Sequence, residues 1–583
     1  MPTKYLAITI AGAVSLGAYE AGATYEILDA IRQHNENPET LRNGDFICID
    51  VLTGASAGGM TAAILAQKLL YQKATFVDRD GKSSPYDNPL YNTWVKTISL
   101  AGLLNTTDKP SSNGGDPATL SILSSNLIEQ ISHEALGQQA PPGQVPILGG
   151  MHNAVDPDRG IHLGLALTNI NGINYGCPMF DGTKFRYTEF CDQMLRALSA
   201  KDASAAPWQE IEEAAVACGA FPFAFRTKDL PRVRKDYLPC PTLEPWPNDS
   251  QTFTYTDGGV LQNQPLGMAK GLVDCNDQHL NNERRFYLFV SPAPMAGDEN
   301  WNLREANTSL LGVGKRLLDI YTGQAGFRDW IQAEDINQQI ALLDDRAQQL
   351  AQVLGTGELD ATALTATSTQ ILELLYSTDG GADAMTADLQ RLTAQYAAEI
   401  GTLGGATTPQ AKAFLTGVLT LEKSANLGER DCMKIYGVVT QDSQLAGGGL
   451  SAFLGFFDQA FRDHDYDWGR TVAQQLLANP AFSTAGQLGP IRYTPAAIRP
   501  IDAALNGLKL CNVPPADVKT LKDGLTSRAN ALIGATVSNP LVRGPARVGA
   551  DLILGALVDW GFSAAAPAST VPAAGPVPAA ASV

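Results

Sequence analysis

The chain has 583 residues, 44% hydrophobic and 17% charged, with a formal net charge of -18 and a pI near 4.8. That length exceeds a single compact core and fits about three or four domains, while the acidity argues against broad binding to nucleic acid, which needs a clustered positive surface. No apolar stretch of about 20 residues runs uninterrupted, so no membrane-spanning helix is expected.

Lys4–Ile10 is rich in strand formers, the glycines between Gly12 and Gly22 supply a tight loop, and a helical pattern follows through Ile31. Phe46–Leu52 is a second short apolar run, Thr53–Gly59 offers small residues for a sharp turn, and Met60–Leu70 holds good helix formers. Asp78–Gly150 is dense in Pro, Gly, Ser, Asn and Asp, with helices predicted at Tyr91–Ala101 and Thr119–Ala135, and reads as an insertion over a sheet edge or site mouth. Strands predicted at Ile161–Thr168, Phe185–Phe190, Thr252–Thr256 and Phe286–Val290 alternate with helices at Trp208–Ala217 and Leu266–Leu272, a pattern that predicts an α/β sheet with helices on its faces. The basic residues Arg226, Lys228, Arg232, Arg234 and Lys235 read as a solvated loop.

From about Asn300 helical periodicity takes over, in Glu334–Leu354, Thr362–Tyr376 and Met385–Ile400. Ser563–Val583 is almost entirely Ala, Pro, Ser, Thr, Gly and Val, too little large apolar surface to offset its ordering entropy, and predicts a disordered tail. The expected division is an α/β domain over 1–295 carrying the insertion 78–150, a mainly helical region over 296–562, and the tail 563–583. Eight scattered cysteines form neither a C-x-x-C pair nor a zinc spacing and read as reduced, mostly buried thiols. The first apolar run is too short for a signal peptide, so the expected location is cytoplasmic, with peripheral membrane contact during turnover and signal-independent secretion left open.

Gly54-Ala55-Ser56-Ala57-Gly58 fits Gly-x-Ser-x-Gly directly between a predicted strand and a predicted helix, the context a nucleophile elbow requires. Gly54 and Gly58 let neighbouring chains approach, and the helix that follows turns its positive end toward a developing oxyanion. A serine hydroxyl needs a base. The six histidines, His133 and His464 among them, stand in no obvious catalytic setting: His162 falls in a predicted strand, His34 and His279 in polar connections, and His152 beside a glycine-rich turn. By contrast Asp257 ends the strand Thr252–Thr256, and Gly258 and Gly259 let the backbone bend sharply after it.

Together these segments resemble the patatin-like phospholipases over roughly residues 4–295. The marks are Gly17-Ala18-Tyr19-Glu20-Ala21-Gly22, the elbow around Ser56, Ala217-Cys218-Gly219-Ala220-Phe221-Pro222, and Asp257-Gly258-Gly259-Val260-Leu261-Gln262-Asn263-Gln264-Pro265. The resemblance implies a three-layer α/β/α sheet and a Ser–Asp dyad without histidine, in which Ser56 is the acyl-accepting nucleophile and Asp257 its base. It also implies a phospholipid or glycerolipid substrate, ester hydrolysis through an acyl-enzyme, and no cofactor or metal. The family's first loop reads Gly-Gly-Gly-x-Arg/Lys-Gly; here it is Gly12-Ala13-Val14-Ser15-Leu16-Gly17, which lacks the basic side chain but keeps backbone donors. The resemblance assigns the oxyanion hole to Gly12, Ala13 and Val14. An acyltransferase or thioesterase would use the same dyad, and a non-catalytic interaction protein on the same scaffold is the remaining alternative. Phe461–Arg470, rich in Asp, Arg, His and Tyr, reads as a structural helix with internal ion pairs at i,i+3 and i,i+4.

Overall fold

The computed structural model describes residues 3–71, 84–104, 121, 123–136, 160–179, 181–198, 206–222, 224–237, 242–276, 284–292, 310–377, 381–425, 433–448, 454–483 and 487–508, with a few positions between 519 and 530. The elements are β1 (Lys4–Ile10), α1 (Gly17–Glu36), α2 (Pro38–Asn43), β2 (Ile47–Gly54), α3 (Ala57–Tyr71), and α4 (Pro89–Tyr91), which continues as a π-helical stretch, Asn92–Thr97. There follow α5 (Leu100–Leu103), α6 (Ser125–Leu136), β3 (Ile161–Pro178), β4 (Lys184–Leu198), α7 (Ala206–Cys218), β5 (Lys228–Val233), β6 (Ser250–Asp257), α8 (Leu266–Asn276) and β7 (Arg285–Ser291). The rest comprises α9 (Leu310–Thr356), α10 (Ala361–Tyr376), α11 (Gly381–Gln395), α12 (Ala397–Thr402), α13 (Pro409–Ser424), β8 (Ile435–Val439) and α14 (Gln459–Ala478).

Eight strands form one sheet in the order β5-β6-β3-β2-β1-β7-β8, with β4 on β3. Side chains alternate across a strand, and that periodicity builds two cores. Leu6, Ile8 and Ile10 join Phe286, Leu288 and Val290 under α1, α3 and α7, while Ala7, Val51, Tyr287 and Phe289 face Leu266 and Ala269 of α8 and Ala333 of α9. The result is the three-layer α/β arrangement expected of the first half.

The stretch β3 decides where the site forms. It pairs with β4 continuously from Ile161 to Thr168, so its other edge must be shared: β2 takes His162–Leu165 through Val51–Gly54, and β6 takes Leu167–Asn169 through Tyr255–Asp257. The ends of β2 and β6 therefore meet along one edge of β3.

The C-terminal half departs from a division at 295. Helices α9–α13 do pack a core of their own, with Leu354, Leu372, Phe414 and Val418 at its centre. The chain then returns to the sheet: β8 pairs in parallel with β7, and α14 lies against α1. Gly22 and Gly469 permit that approach, since a Cβ on either would stand 2.0 Å from the Tyr466 carbonyl oxygen or 2.1 Å from that of Tyr19. A five-residue strand that depends on its neighbour for pairing leaves little periodic signal, which is why sequence alone gave the region as helical.

Within Phe461–Arg470 the ion-pair expectation needs amending, because the partners come mostly from other segments. Arg470 donates through Nε to Glu26 of α1 at 2.9 Å, both buried, and Asp463 and Asp467 receive Arg499 at 2.7 and 2.8 Å. Only the 4.0 Å Arg470–Asp467 pair is of the i,i+3 kind. The basic run after Arg226 is likewise no solvated loop: it contains β5, with Arg232 buried against Tyr237 and Asp192 and Arg226 and Lys228 bonded to Glu129 of α6. Of the cysteines, Cys48 and Cys218 are buried, Cys177 and Cys191 half-buried and Cys275 exposed, all free thiols; Cys240, Cys432 and Cys511 lie outside the described residues, as do most of 105–159 and the tail 563–583.

Candidate active site

Ser56 follows β2 and precedes the first turn of α3. Its φ is +51°, a value that an L residue holds only when its surroundings enforce it. The flanking glycines are steric requirements: a Cβ on Gly54 would stand 2.3 Å from the Gly58 carbonyl oxygen, and one on Gly58 2.2 Å from that of Ala11. Ala55 N–H donates to the Ile10 carbonyl at 3.2 Å, tying the elbow to β1.

The Ser56 hydroxyl donates to Asp257 Oδ2 at 2.6 Å across 201 positions of sequence. Asp257 Oδ1 accepts the Gly259 N–H at 2.6 Å, its backbone N–H donates to the Ala220 carbonyl at 3.0 Å, and its own carbonyl accepts the Thr168 hydroxyl at 2.8 Å. Gly258 presses against β3, with space for no Cβ beside the Ala166 carbonyl, 2.0 Å away. Asp257 is only 1% exposed. Burial raises its pKa from 3.8 to about 7, against the lowering effect of the bonds from Ser56 and Gly259. A carboxyl near neutrality is poised both to take a proton and to return it.

The first loop, residues 12–17, stands against Ser56: a Cβ on Gly12 would lie 3.1 Å from the Ser56 Cβ. Gly12 was expected to donate to an oxyanion, but its N–H is committed to the Asn263 carbonyl at 2.9 Å. That bond corrects the assignment, leaving Ala13 and Val14, whose N–H groups have no acceptor among the described residues. Val14 has φ +52°; with Ser56 it is one of two non-glycine residues at positive φ among the described residues. A β-branched side chain pays steric cost there, so the turn is held from outside. The Ser15 hydroxyl accepts the Gly455 N–H at 3.1 Å, and Arg462, 3% exposed, donates to the carbonyls of Gly455 and Val95 at 2.8 and 3.0 Å. Val95 belongs to the π-helical wall and Gly455 adjoins Phe456, so one buried guanidinium fastens two sides of the cleft.

That cleft, about 60 Å³, is lined by Val14, Ser56, Met60, Trp94, Ile98, Ile128, Phe221, Phe225 and Phe456. A larger cavity of about 470 Å³ beside Tyr175, Glu189, Asp192 and Tyr237 contains neither Ser56 nor Asp257. The Asp192 carboxylate there is already bonded to Tyr237 and Tyr255, each at 2.8 Å, and the smaller, apolar cleft is the one that Ser56 lines.

The described histidines are held elsewhere: His34 by Asp45 and Arg492, His464 by Asp465 and Asn506, His133 beside Glu212, and His162 within β3. His152 and His279 lie outside the described residues. Among the described residues no group of three or more His, Cys, Asp and Glu could hold a metal ion. Sequence reasoning missed Phe456 and quoted Ser15 and Arg462 without this role; no spacing rule links positions more than 400 residues apart. It quoted Asn263 without a role, although its place after Asp-Gly-Gly was the available signal.

Residues 8–270 match the family model described as patatin-like phospholipase. An uncharacterized protein of Sinorhizobium fredii, y4iI, is 24% identical over 400 residues, 56% of this chain and 54% of that protein. The chain thus spans about half the length of the curated relative it matches. The crystal structure of VipD from Legionella pneumophila aligns with 74% of this chain and 92% of its own at 14% identity, with a TM-score of 0.18, too low to carry any argument.

Proposed function

We propose, from the match of residues 8–270 to the patatin-like phospholipase family model, that the chain is a lipid acyl hydrolase working through Ser56 and Asp257. The observation that carries the reading is the 2.6 Å hydrogen bond from the Ser56 hydroxyl to a buried carboxylate. In the first step Asp257 takes the hydroxyl proton as Ser56 Oγ adds to the ester carbonyl. The oxyanion that forms is stabilised by the free N–H groups of Ala13 and Val14 and by the N-terminal end of α3. Collapse expels the alcohol, which leaves with the proton held on Asp257, and Ser56 is acylated. Water then adds to the acyl-enzyme, giving its proton to Asp257, and the tetrahedral adduct releases the fatty acid as that proton returns to Ser56 Oγ.

The apolar lining of Met60, Ile98, Phe221 and Phe456 supports an acyl chain as the group transferred. The test is fatty-acid release from mixed phospholipid and glycerolipid vesicles, together with labelling by a fluorophosphonate probe. Wild type is expected to release fatty acid and to carry the label on Ser56. Equal release by wild type and Ser56→Ala would sink the proposal.

A further inference from the structure

The β3–β4 hairpin extends well past the sheet. Residues beyond Asn169 on β3 have left β6 behind and pair with β4 from Ile173 to Pro178, with a short flanking contact at Thr242–Glu244 through Gly176 N–H and the Asn174 carbonyl. The register fixes its direction. Because β3 runs parallel to β2, and Gly54 lies beside Leu165, everything on β3 after Leu165 continues toward the edge where Ser56 and Asp257 stand. A bulge at residues 169–172 takes up extra residues of β3, so the reach is counted on β4: from Cys191 back to Lys184, at about 3.3 Å per residue, the hairpin extends about 23 Å.

The hairpin presents large apolar side chains to solvent: Ile170, Met179, Phe185, Tyr187 and Phe190. Every aromatic among the exposed large apolar residues described is on this hairpin or is Phe221, which also lines the Ser56 cleft. Exposure runs from 37% at Phe221 to 60% at Phe185. Tyr175 and Tyr187 stack at 5.4 Å and Phe185 adjoins Tyr187 at 6.2 Å, giving the hairpin a rigid aromatic face. Such rings, apolar in body and polar at a tyrosine tip, suit the boundary between lipid tails and headgroups. The scattered aliphatic residues exposed on α9–α13, such as Leu342 and Leu374, have no comparable relation to the site.

We propose that the β3–β4 hairpin is the surface by which this protein docks on a lipid bilayer, with Met179, Phe185 and Tyr187 entering the headgroup boundary and the Ser56 edge turned toward the membrane. The inference rests on the lipid-hydrolase reading, because a water-insoluble substrate must be met at its interface. Lys184 and Arg186 on the hairpin share one carboxylate, Glu244, at 3.6 and 3.8 Å, and Asp181 and Glu189 on the same hairpin balance the remaining positive charge. Docking is therefore driven by apolar burial and holds on zwitterionic lipid at high salt.

The test uses the full chain carrying Ser56→Ala, so that binding is read without turnover, in flotation with phosphatidylcholine vesicles with and without phosphatidylglycerol. Binding to both kinds of vesicle is expected. The triple change Met179→Ser, Phe185→Ser and Tyr187→Ser should reduce the partition coefficient roughly ten-fold or more. In a second readout, the indole introduced by Phe185→Trp should fluoresce at shorter wavelength on vesicles and be quenched by brominated acyl chains. Hydrolysis of a soluble short-chain ester by the triple variant with Ser56 intact should match wild type. No binding to either vesicle, binding that the triple change leaves intact, or indole fluorescence of the Phe185→Trp variant unmoved by lipid would each overturn docking by this hairpin. A dimer that the triple change dissolves, without effect on flotation, would overturn it in favour of self-association. Failure of the catalytic reading is separate: it appears as soluble-ester turnover that survives Ser56→Ala.

Discussion

Two loops meet at the cleft, each bent around a non-glycine residue at positive φ, and they hold that bend by different means. At the elbow, Ser56 is enforced by its own neighbours in sequence: Gly54 and Gly58 make room for chain crossings that a side chain would block. At the first loop, Val14 has no such local support. Its conformation depends on Gly12 bonded to Asn263 and on Ser15 bonded to Gly455. Equal strain thus leaves a motif in one case and none in the other, because only the first is a local steric problem.

The comparison is broken most severely at Ser56. Ser56→Ala should lower acyl hydrolysis by at least about 10³-fold, the scale seen when a nucleophile is removed. Ser56→Gly should be equally inactive yet more stable by about 1 kcal/mol, since glycine adopts positive φ without a Cβ penalty; thermal unfolding of the two variants side by side checks this.

Asp257 comes next. The proposed mechanism needs its ionised form, so kcat/KM should rise with pH through about 7, the value to which burial lifts its pKa, and then level off. The same shift has a stability sign. The folded state favours the protonated carboxyl, so wild type loses stability as pH climbs from the unfolded-state pKa through about 7. Asp257→Asn lacks that loss, and its Tm advantage over wild type should be larger at about pH 8 than at about pH 4. A flat difference would mean that the carboxyl titrates normally.

Smaller effects test the non-local support of the first loop. Ser15→Ala strands the buried Gly455 N–H, which should cost about 1–3 kcal/mol of stability, and should lower kcat about ten-fold while KM stays near wild type, because the donors of Ala13 and Val14 lose their brace. Steady-state kinetics on a soluble ester separate the two parameters. Val14→Gly should have the least effect on stability: relief of strain offsets the added chain entropy, leaving the unfolding free energy within about 1 kcal/mol of wild type. A large loss would show that the Val14 side chain, and not the turn, holds the wall.

The sequence was sufficient for features whose cause is local. Strands β1 and β7 follow from apolar runs of the right length, the elbow from its glycines, and Asp257 from its place between a strand and Gly258-Gly259, with resemblance to a family joining them into a dyad. Tertiary structure alone decided which backbone donors are free, since nothing near Gly12 tells that its N–H is taken by Asn263. It decided that β8 and α14 return to the sheet, and that Phe456 and Arg462 close a cleft around a serine 400 residues earlier. The physical reason is the range of the forces: sterics and periodicity act between neighbours and leave a trace in spacing, whereas a hydrogen bond or an apolar contact between distant segments depends only on where the fold brings them.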